Sequence, residues 1–365
     1  MGCRVRHLIA LTTLAALASA GQASAAPTAR DFEQPLGGVE RVRGKAAGHE
    51  GEGPVTHRSP VIEAPAAFDA VGLAGEMRPV ELRVRPAGGE WTSWLEVGNG
   101  DPLFAVGGAD EVQLRTRGWR PRGMLHYVEL TTGTDENRTD DGSGERQSAK
   151  QRGSTDEVPK PRFIRRDRWG ANRASGGCPP ATSPSHGVVK AVVVHHTVTS
   201  NTYSRSEAKG IVLAICRYHR YGNGWNDIGY NALVDRFGRL YEGRAGGLRK
   251  SVVGAHAAGY NAQTAGIAAI GNHSSAAIAR KARGKTARYA AWKHSINGHR
   301  SKGQTTLVSR GGASNRYPSG TRIKTERIIG HRRVGATACP GDALARELRR
   351  IRNRAQRIQD KHETG

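Results

Sequence analysis

Between residues 131 and 160, Val158 is the one large aliphatic or aromatic side chain. A hydrophobic core cannot be carried through so polar a stretch. It reads as a linker, and the 365-residue chain reads as two folding units, one on each side. The two flanks differ in charge. Residues 27–160 hold 17 Lys and Arg against 22 Asp and Glu, whereas residues 161–365 hold 37 against 10, so the excess behind the net charge of +24 lies in the second unit. A domain that basic draws an anionic partner by long-range attraction.

Arg4 and Arg6 precede an apolar stretch from Leu8 to about Leu17, and Ala23-Ser24-Ala25 follows as a small-residue cleavage site. This is the pattern of a secretory signal peptide over residues 1–25. The apolar run is too short to span a bilayer, and no other segment is long enough, so no membrane span is expected in the mature chain. Export favours an anionic cell wall over nucleic acid as the partner, and no basic patch interleaved with aromatic residues argues for nucleic acid. Export also permits disulfides among the remaining cysteines, Cys178, Cys216 and Cys339.

Residues 26–60 are rich in Gly, Pro and Ala without sustained periodicity, and no order is expected there. From residue 61 to 130, short alternating runs such as Val80, Leu82 and Val84 are broken by Gly and Pro, which predicts a small all-β module. Trp91 and Trp94 in it are expected to pack in its core, with carbohydrate binding as the alternative. Residues 161–355 read as a mixed α/β domain, a sheet flanked by helices, with residues 356–365 as a basic tail. Ala191–His195 is a buried strand. Ser204–Arg220 is a helix with Ala208, Ile211, Val212 and Ile215 on one face, capped by Ser204 or Ser206. Tyr230–Val234 and Leu240–Glu242 are strands joined by a hairpin-like turn. Val252–His256, Gly266–Ile270 and Ile328–Gly330 are further strands. Ala276–Asn297 contains a helix, and Asp342–Ile351 is another.

Imidazole and thiolate suit zinc, and His195-His196, His331 and Cys339 supply both. Spacing alone does not fix a metal site. A His pair is often structural, and His331 and Cys339 are too far apart for a finger motif. On a strand, His195 and His196 point to opposite faces, so only one can reach a given metal. His195, at the end of the apolar run, is the better candidate, with His196 packing beneath. His331 likewise follows an apolar strand.

Several blocks then resemble, in order, the peptidoglycan recognition protein and type-2 N-acetylmuramoyl-L-alanine amidase superfamily. They are Arg168-Trp169-Gly170-Ala171, Val194-His195-His196-Thr197, Asp227-Ile228-Gly229-Tyr230-Asn231, Tyr241-Glu242-Gly243-Arg244, Gly254-Ala255-His256 through Gly259-Tyr260-Asn261, Gly330-His331-Arg332 and Thr337-Ala338-Cys339-Pro340-Gly341. The resemblance covers roughly residues 161–350. It implies zinc held by His195, His331 and Cys339, with Tyr230 and Thr337 assisting. It also implies cleavage of the amide between N-acetylmuramic acid and L-alanine in peptidoglycan. Members that bind peptidoglycan without cutting it commonly lack the cysteine, so Cys339 favours an enzyme over a non-catalytic recognition module.

Physical chemistry agrees with that implication. A catalytic zinc activates a water and polarises the carbonyl it attacks, and the Tyr230 hydroxyl, with Thr337, suits the developing oxyanion. His256 and Asn261, in a Gly-rich stretch, are candidates to line the substrate groove, although His256 could equally be a satisfied structural histidine. Arg244 is a candidate for a stem-peptide carboxylate. With Cys339 assigned to zinc, Cys178 and Cys216 remain to form a disulfide that pins a loop onto the Ser204–Arg220 helix.

Overall fold

A computed structural model describes residues 27–42, 54–86, 88–97, 100, 102–131, 157–312 and 314–363. The expected signal peptide and most of the linker lie outside them. The first unit is an antiparallel sheet of eight strands: β1 (Thr28–Pro35), β2 (Glu40–Arg41), β3 (Val55–Arg58), β4 (Ile62–Leu73), β5 (Val80–Arg85), β6 (Leu95–Val97), β7 (Leu103–Arg117) and β8 (Met124–Thr131). Its strands run in the order β1-β8-β4-β7-β3-β2, with β5 paired to β7 and β6. The expectation of no order over residues 26–60 is therefore corrected for its described parts. Strand β1 pairs along its whole length with β8, from Thr28 opposite Thr131 to Pro35 opposite Met124. Phe68, Val71, Leu82, Leu103, Leu114 and Tyr127 fill the core.

The two tryptophans are not in that core, which corrects a second expectation. Both are half-buried on the sheet surface. The guanidinium of Arg83 lies 4.5 Å from the Trp91 ring and 4.6 Å from that of Trp94, and Arg115 lies 4.4 Å from Trp94. Stacked arginines, attracted by the ring quadrupole, shield these rings in place of aliphatic neighbours.

The second unit is built on a six-stranded mixed sheet. Its strands are β9 (Phe163–Ile164), β10 (Ala191–His196), β11 (Ala232–Val234), β12 (Leu240–Glu242), β13 (Thr264–Ala269) and, after the hairpin β14 (Gln304–Val308) and β15 (Arg322–Glu326), β16 (Ile328–Gly330). The order is β16-β10-β13-β11-β12-β9, and only the β11/β12 pair is antiparallel. Helix α1 (Glu207–Arg217) covers one face, where Leu233, Tyr241 and Ala268 point. Helices α2 (Arg280–Ser295) and α3 (Asp342–Glu363) cover the other, where Ala232, Val234, Ile267 and Ala269 point. This is the alternation a strand requires when both faces are buried.

Local details refine these expectations, and two of them have physical reasons. Ser204 caps the entry to helix α1: its N–H donates to Glu207 Oε2 (2.6 Å) and its Oγ accepts the Glu207 N–H (3.3 Å), the reciprocal pair of a capping box. The last turn of α1 widens into a π-helical turn over Tyr218–Gly222. Helix α3 runs on to Glu363, past the expected end and through the expected tail. Ile351, Ala355 and Ile358 continue the buried stripe of Leu344 and Leu348, and Gln356 and Gln359 accept the backbone N–H groups of Lys302 and Ser301. In place of a strand over Val252–His256 there is a single bridge, His186 to Val252.

The two units share one apolar cluster, in which Ala29, Ala70 and Val128 join Ile211, Ala214 and Tyr218. Across the same seam Arg217 pairs with Asp31, Tyr218 Oη donates to the Leu73 carbonyl (3.0 Å), and Asn223 Nδ2 donates to that of Gly100 (2.7 Å). Among the described residues, no helix is long and apolar enough to cross a membrane.

Candidate metal centre

Strands β10 and β16 run side by side and parallel, with Val194 opposite Gly330. His195 and His331 therefore emerge together at the C-terminal ends of adjacent strands, a usual place for ligands in open α/β sheets. Their ring centroids are 4.5 Å apart. The chain then loops back. Arg332 N–H donates to the Cys339 carbonyl (2.8 Å) and Cys339 N–H donates to Thr337 Oγ (3.1 Å), which turns the Cys339 thiol toward the histidines. One ligand atom from each of His195, His331 and Cys339 lies within 4.8 Å of the others, and all three residues are buried.

The donor set fits zinc. Ligands at about 2.1 and 2.3 Å that subtend a tetrahedral angle stand ~3.6 Å apart, and His195 Nδ1 lies 3.6 Å from Cys339 Sγ. His331 Nε2 is buried with no hydrogen-bond partner among the described residues, a cost that a metal bond removes. His195 Nε2 lies 3.1 Å from His256 Nδ1. When Nε2–H of His195 donates there, its Nδ1 lone pair is left facing the sulfur, the outer-shell support that metal-binding histidines usually have.

Electrostatics favour the ligand form of each imidazole. Burial, reinforced by the charges of His331 and His256, holds His195 well below its ordinary value. Burial alone pushes His331 down to about 4, and burial with the charge of His331 pushes His256 to about 3. Neutral imidazole is the form that binds a metal. His196 points to the opposite face, as strand alternation requires, and its Nδ1 accepts the His273 N–H (3.1 Å).

These residues sit in a cleft of about 510 Å³, which Tyr230, Thr337 and His256 also line. The Tyr230 ring lies 5.2 Å from that of His195. Thr337 Oγ accepts from Cys339 N–H, so its own proton is available for donation. His256 is gripped by glycines: a Cβ at Gly254 or Gly266 would come within 2.5 Å of its ring. That is the physical reason for the glycine in Gly254-Ala255-His256.

Two expected groove residues do not line this cleft. Arg244 is buried, and its Nη1 donates to the Val253 carbonyl (3.0 Å). Asn261 Oδ1 accepts the N–H groups of His256 and Ala257 (2.8 Å each), so it fixes the segment that carries His256. Other motif residues are also structural. Asp227 is buried, pairs with Arg166 (3.1 Å) and accepts the N–H groups of Ile228 and Ala245. Cys178 and Cys216 form a disulfide beside it. With both sulfurs bonded to each other, that group offers no thiolate to a metal.

Sequence reasoning missed Trp225, which stacks on His219 (4.6 Å) under Tyr230, and Leu95 and Glu96 of the first unit, which line the cleft beside Trp94. Nothing local could have placed these residues at the cleft, because they reach it only through the docking of the two units.

The family model described as N-acetylmuramoyl-L-alanine amidase matches residues 185–342. Peptidoglycan-recognition protein SC1a of Drosophila melanogaster is 31% identical over 160 residues, which cover 43% of this chain and 70% of that protein. Peptidoglycan-recognition protein SC2 of Drosophila melanogaster is 29% identical over 187 residues, 51% of this chain and 84% of that protein. Among solved structures, peptidoglycan recognition protein-LE in complex with tracheal cytotoxin is similar at 26% identity and a TM-score of 0.39, over 52% of this chain and 92% of that one. The chain belongs to the peptidoglycan recognition protein and type-2 N-acetylmuramoyl-L-alanine amidase superfamily.

Proposed function

We propose that the protein is a secreted, zinc-dependent N-acetylmuramoyl-L-alanine amidase that cuts peptidoglycan between the muramic acid lactyl group and the first L-alanine of the stem. The observation that carries this is the convergence of His195, His331 and Cys339 at one cleft, with a sulfur-to-nitrogen distance that suits a tetrahedral ion. His195, His331 and Cys339 hold the zinc. When bound, zinc supplies Lewis acidity and a water that ionises near neutral pH. His256 keeps His195 in the tautomer that presents Nδ1. Tyr230 aims its hydroxyl at the oxygen that gains charge as the lactyl carbonyl is attacked, and Thr337 donates from the opposite end of the motif. The basic second unit holds the enzyme near an anionic cell wall.

A recognition module that binds without cutting needs the cleft but not the thiol, and Cys339 beside His195 favours turnover. The test is release of new L-alanine N-termini from purified sacculi. Chelation should stop it and added zinc should restore it. Tyr230→Phe should keep the metal and lose roughly a hundredfold or more in rate, as loss of an oxyanion donor does. Full activity in the metal-free protein would sink the zinc assignment, and an unchanged rate in Tyr230→Phe would remove Tyr230 from the chemistry.

A further inference from the structure

The outer faces of α2 and α3 carry a cationic pattern that the metal centre does not use. The two helices run side by side in the same direction, with Arg283 paired to Glu347 and Gln359 Nε2 donating to the Ala291 carbonyl (3.3 Å). On α3, Arg346, Arg350, Arg354, Arg357 and Lys361 are all exposed. Residues three and four apart share a helix face, so these five form one row. On α2, Lys281 and Lys285 are exposed at the same interval, with Arg288 next on that face. Arg354 joins the two rows. A Cβ at Gly284 would meet its Cζ at 3.3 Å and its Nη2 at 3.4 Å, so its guanidinium lies across the glycine of α2.

Internal pairing does not account for these charges. The acids of α3 are engaged: Asp342 with Arg332, Glu347 with Arg283 and Arg350, and Asp360 and Glu363 with Arg300. Among the described residues, Arg346, Arg354, Arg357, Lys281 and Lys285 have no carboxylate within ion-pair distance. Helix stability does not account for them either, because like charges four residues apart weaken a helix. The row also begins at the rim of the metal cleft. A groove of about 390 Å³ lined by Arg346, Arg349 and Arg350 shares Ser275 with that cleft. From Arg346 to Lys361 the row runs for about 22 Å at 1.5 Å per residue.

We propose that the outer faces of α2 and α3 form a docking track for a linear polyol-phosphate chain of the cell wall. This rests on the amidase function proposed above and names the surface and the anionic partner that hold the enzyme to the wall. Guanidinium groups fork around phosphate oxygens, and most of the α3 row is arginine. The cations are strung along the helices instead of converging, so they suit a chain with a phosphate every few bonds rather than one small anion. A helix with its side chains is about 10–12 Å across, so the packed pair does not fit the major groove of duplex DNA, about 12 Å wide. A chain on the track leaves the metal cleft open, and the enzyme stays tethered while it cuts.

The test uses the full chain, loaded with zinc, and soluble poly(glycerol phosphate) as the probe. Arg346→Gln, Arg354→Gln and Arg357→Gln combined should lower affinity at physiological salt by roughly ten- to a hundredfold, as the loss of three exposed ion pairs does. The slope of log affinity against log salt should fall by about 2, the value for three phosphate contacts on a flexible strand. A control removes the same charge from other exposed positions, Arg310→Gln with Arg316→Gln and Arg322→Gln, and should leave both quantities nearly unchanged. Neither triple change should alter turnover of small muropeptides, whereas cleavage of sacculi that carry the polymer should fall with the first alone. Equal losses in the two variants would overturn the track, because net charge would then suffice. Tighter binding of a duplex DNA with the same number of phosphates would overturn the choice of partner. If the unaltered protein cuts no muropeptide, the amidase function fails, while the binding comparison still decides the track.

Discussion

A methyl group at Gly335 probes the metal centre without replacing a ligand. A Cβ there would lie 2.7 Å from His331 Nε2, 2.9 Å from its Cδ2 and 3.3 Å from Thr337 Cγ2. Ordinary van der Waals contact begins at 3.4 Å, so the imidazole must retreat by about 0.7 Å. Metal sites accept ligand displacements of only about 0.2 Å. Gly335→Ala should therefore weaken zinc binding by about ten- to a hundredfold, the loss seen when a ligand's support is disturbed. Overpacking should cost the fold only ~1–3 kcal/mol. Competition against a chromophoric chelator reads the first quantity, and thermal unfolding of the metal-free protein reads the second. Gly37→Ala is the control, since nothing lies within 4 Å of a Cβ at Gly37. A folded Gly335→Ala protein with undiminished zinc affinity would refute the assignment of the Nε2 edge of His331 to the metal.

Other expectations concern the seam and the disulfide. Burial lowers the pKa of His126, but hydrogen bonds with Asp31 and Glu33 outweigh it and leave the imidazole above its ordinary value of 6.5. Its contribution to stability is then complete below pH 6.5 and is lost as pH rises through the folded-state value, so His126→Gln should flatten the decline in stability above pH 6.5 in urea titrations. A decline of unchanged steepness would clear His126. Tyr218→Phe, which deletes the hydroxyl that donates to the Leu73 carbonyl, should cost about 1 kcal/mol in the same assay. Replacing Cys178 and Cys216 together by serine opens a loop with a sequence separation of 38 and should cost about 4 kcal/mol by chain entropy. Thiol titration of the unfolded, metal-free mature protein should find Cys339 alone reactive.

Legibility in the sequence followed the range of the interactions. The central strands were plain because a parallel strand buried on both faces reads as a continuous apolar run, as Ala191–His195 and Ile328–Gly330 do. Strand β1 was not, because Ala29 is its one buried residue and its partner β8 lies about a hundred residues away. Helix α3 was read short because its arginines mask an apolar stripe that only the packing against α2 reveals. At the site, His195, His331, Cys339, Tyr230 and Thr337 carried family motifs, and the fold gathers them in one cleft. Asn261 and Arg244 carried motifs too, but their polar atoms hold backbone groups. Motif membership does not separate a residue that touches substrate from one that shapes the loop beside it.

Placing His195 and His331 on neighbouring parallel strands sets their separation by the sheet's own ladder, in which strands lie about 4.8 Å apart. Cys339 is held differently, by the short loop that returns from His331. The two imidazoles are thus anchored directly at strand ends, while the sulfur is anchored through a loop. Loss of the ion should leave the imidazole pair standing, so reloading needs only the loop to close. Exchange with a competing metal should begin at the sulfur, and its rate should follow the stiffness of residues 331–341 rather than the stability of the whole fold.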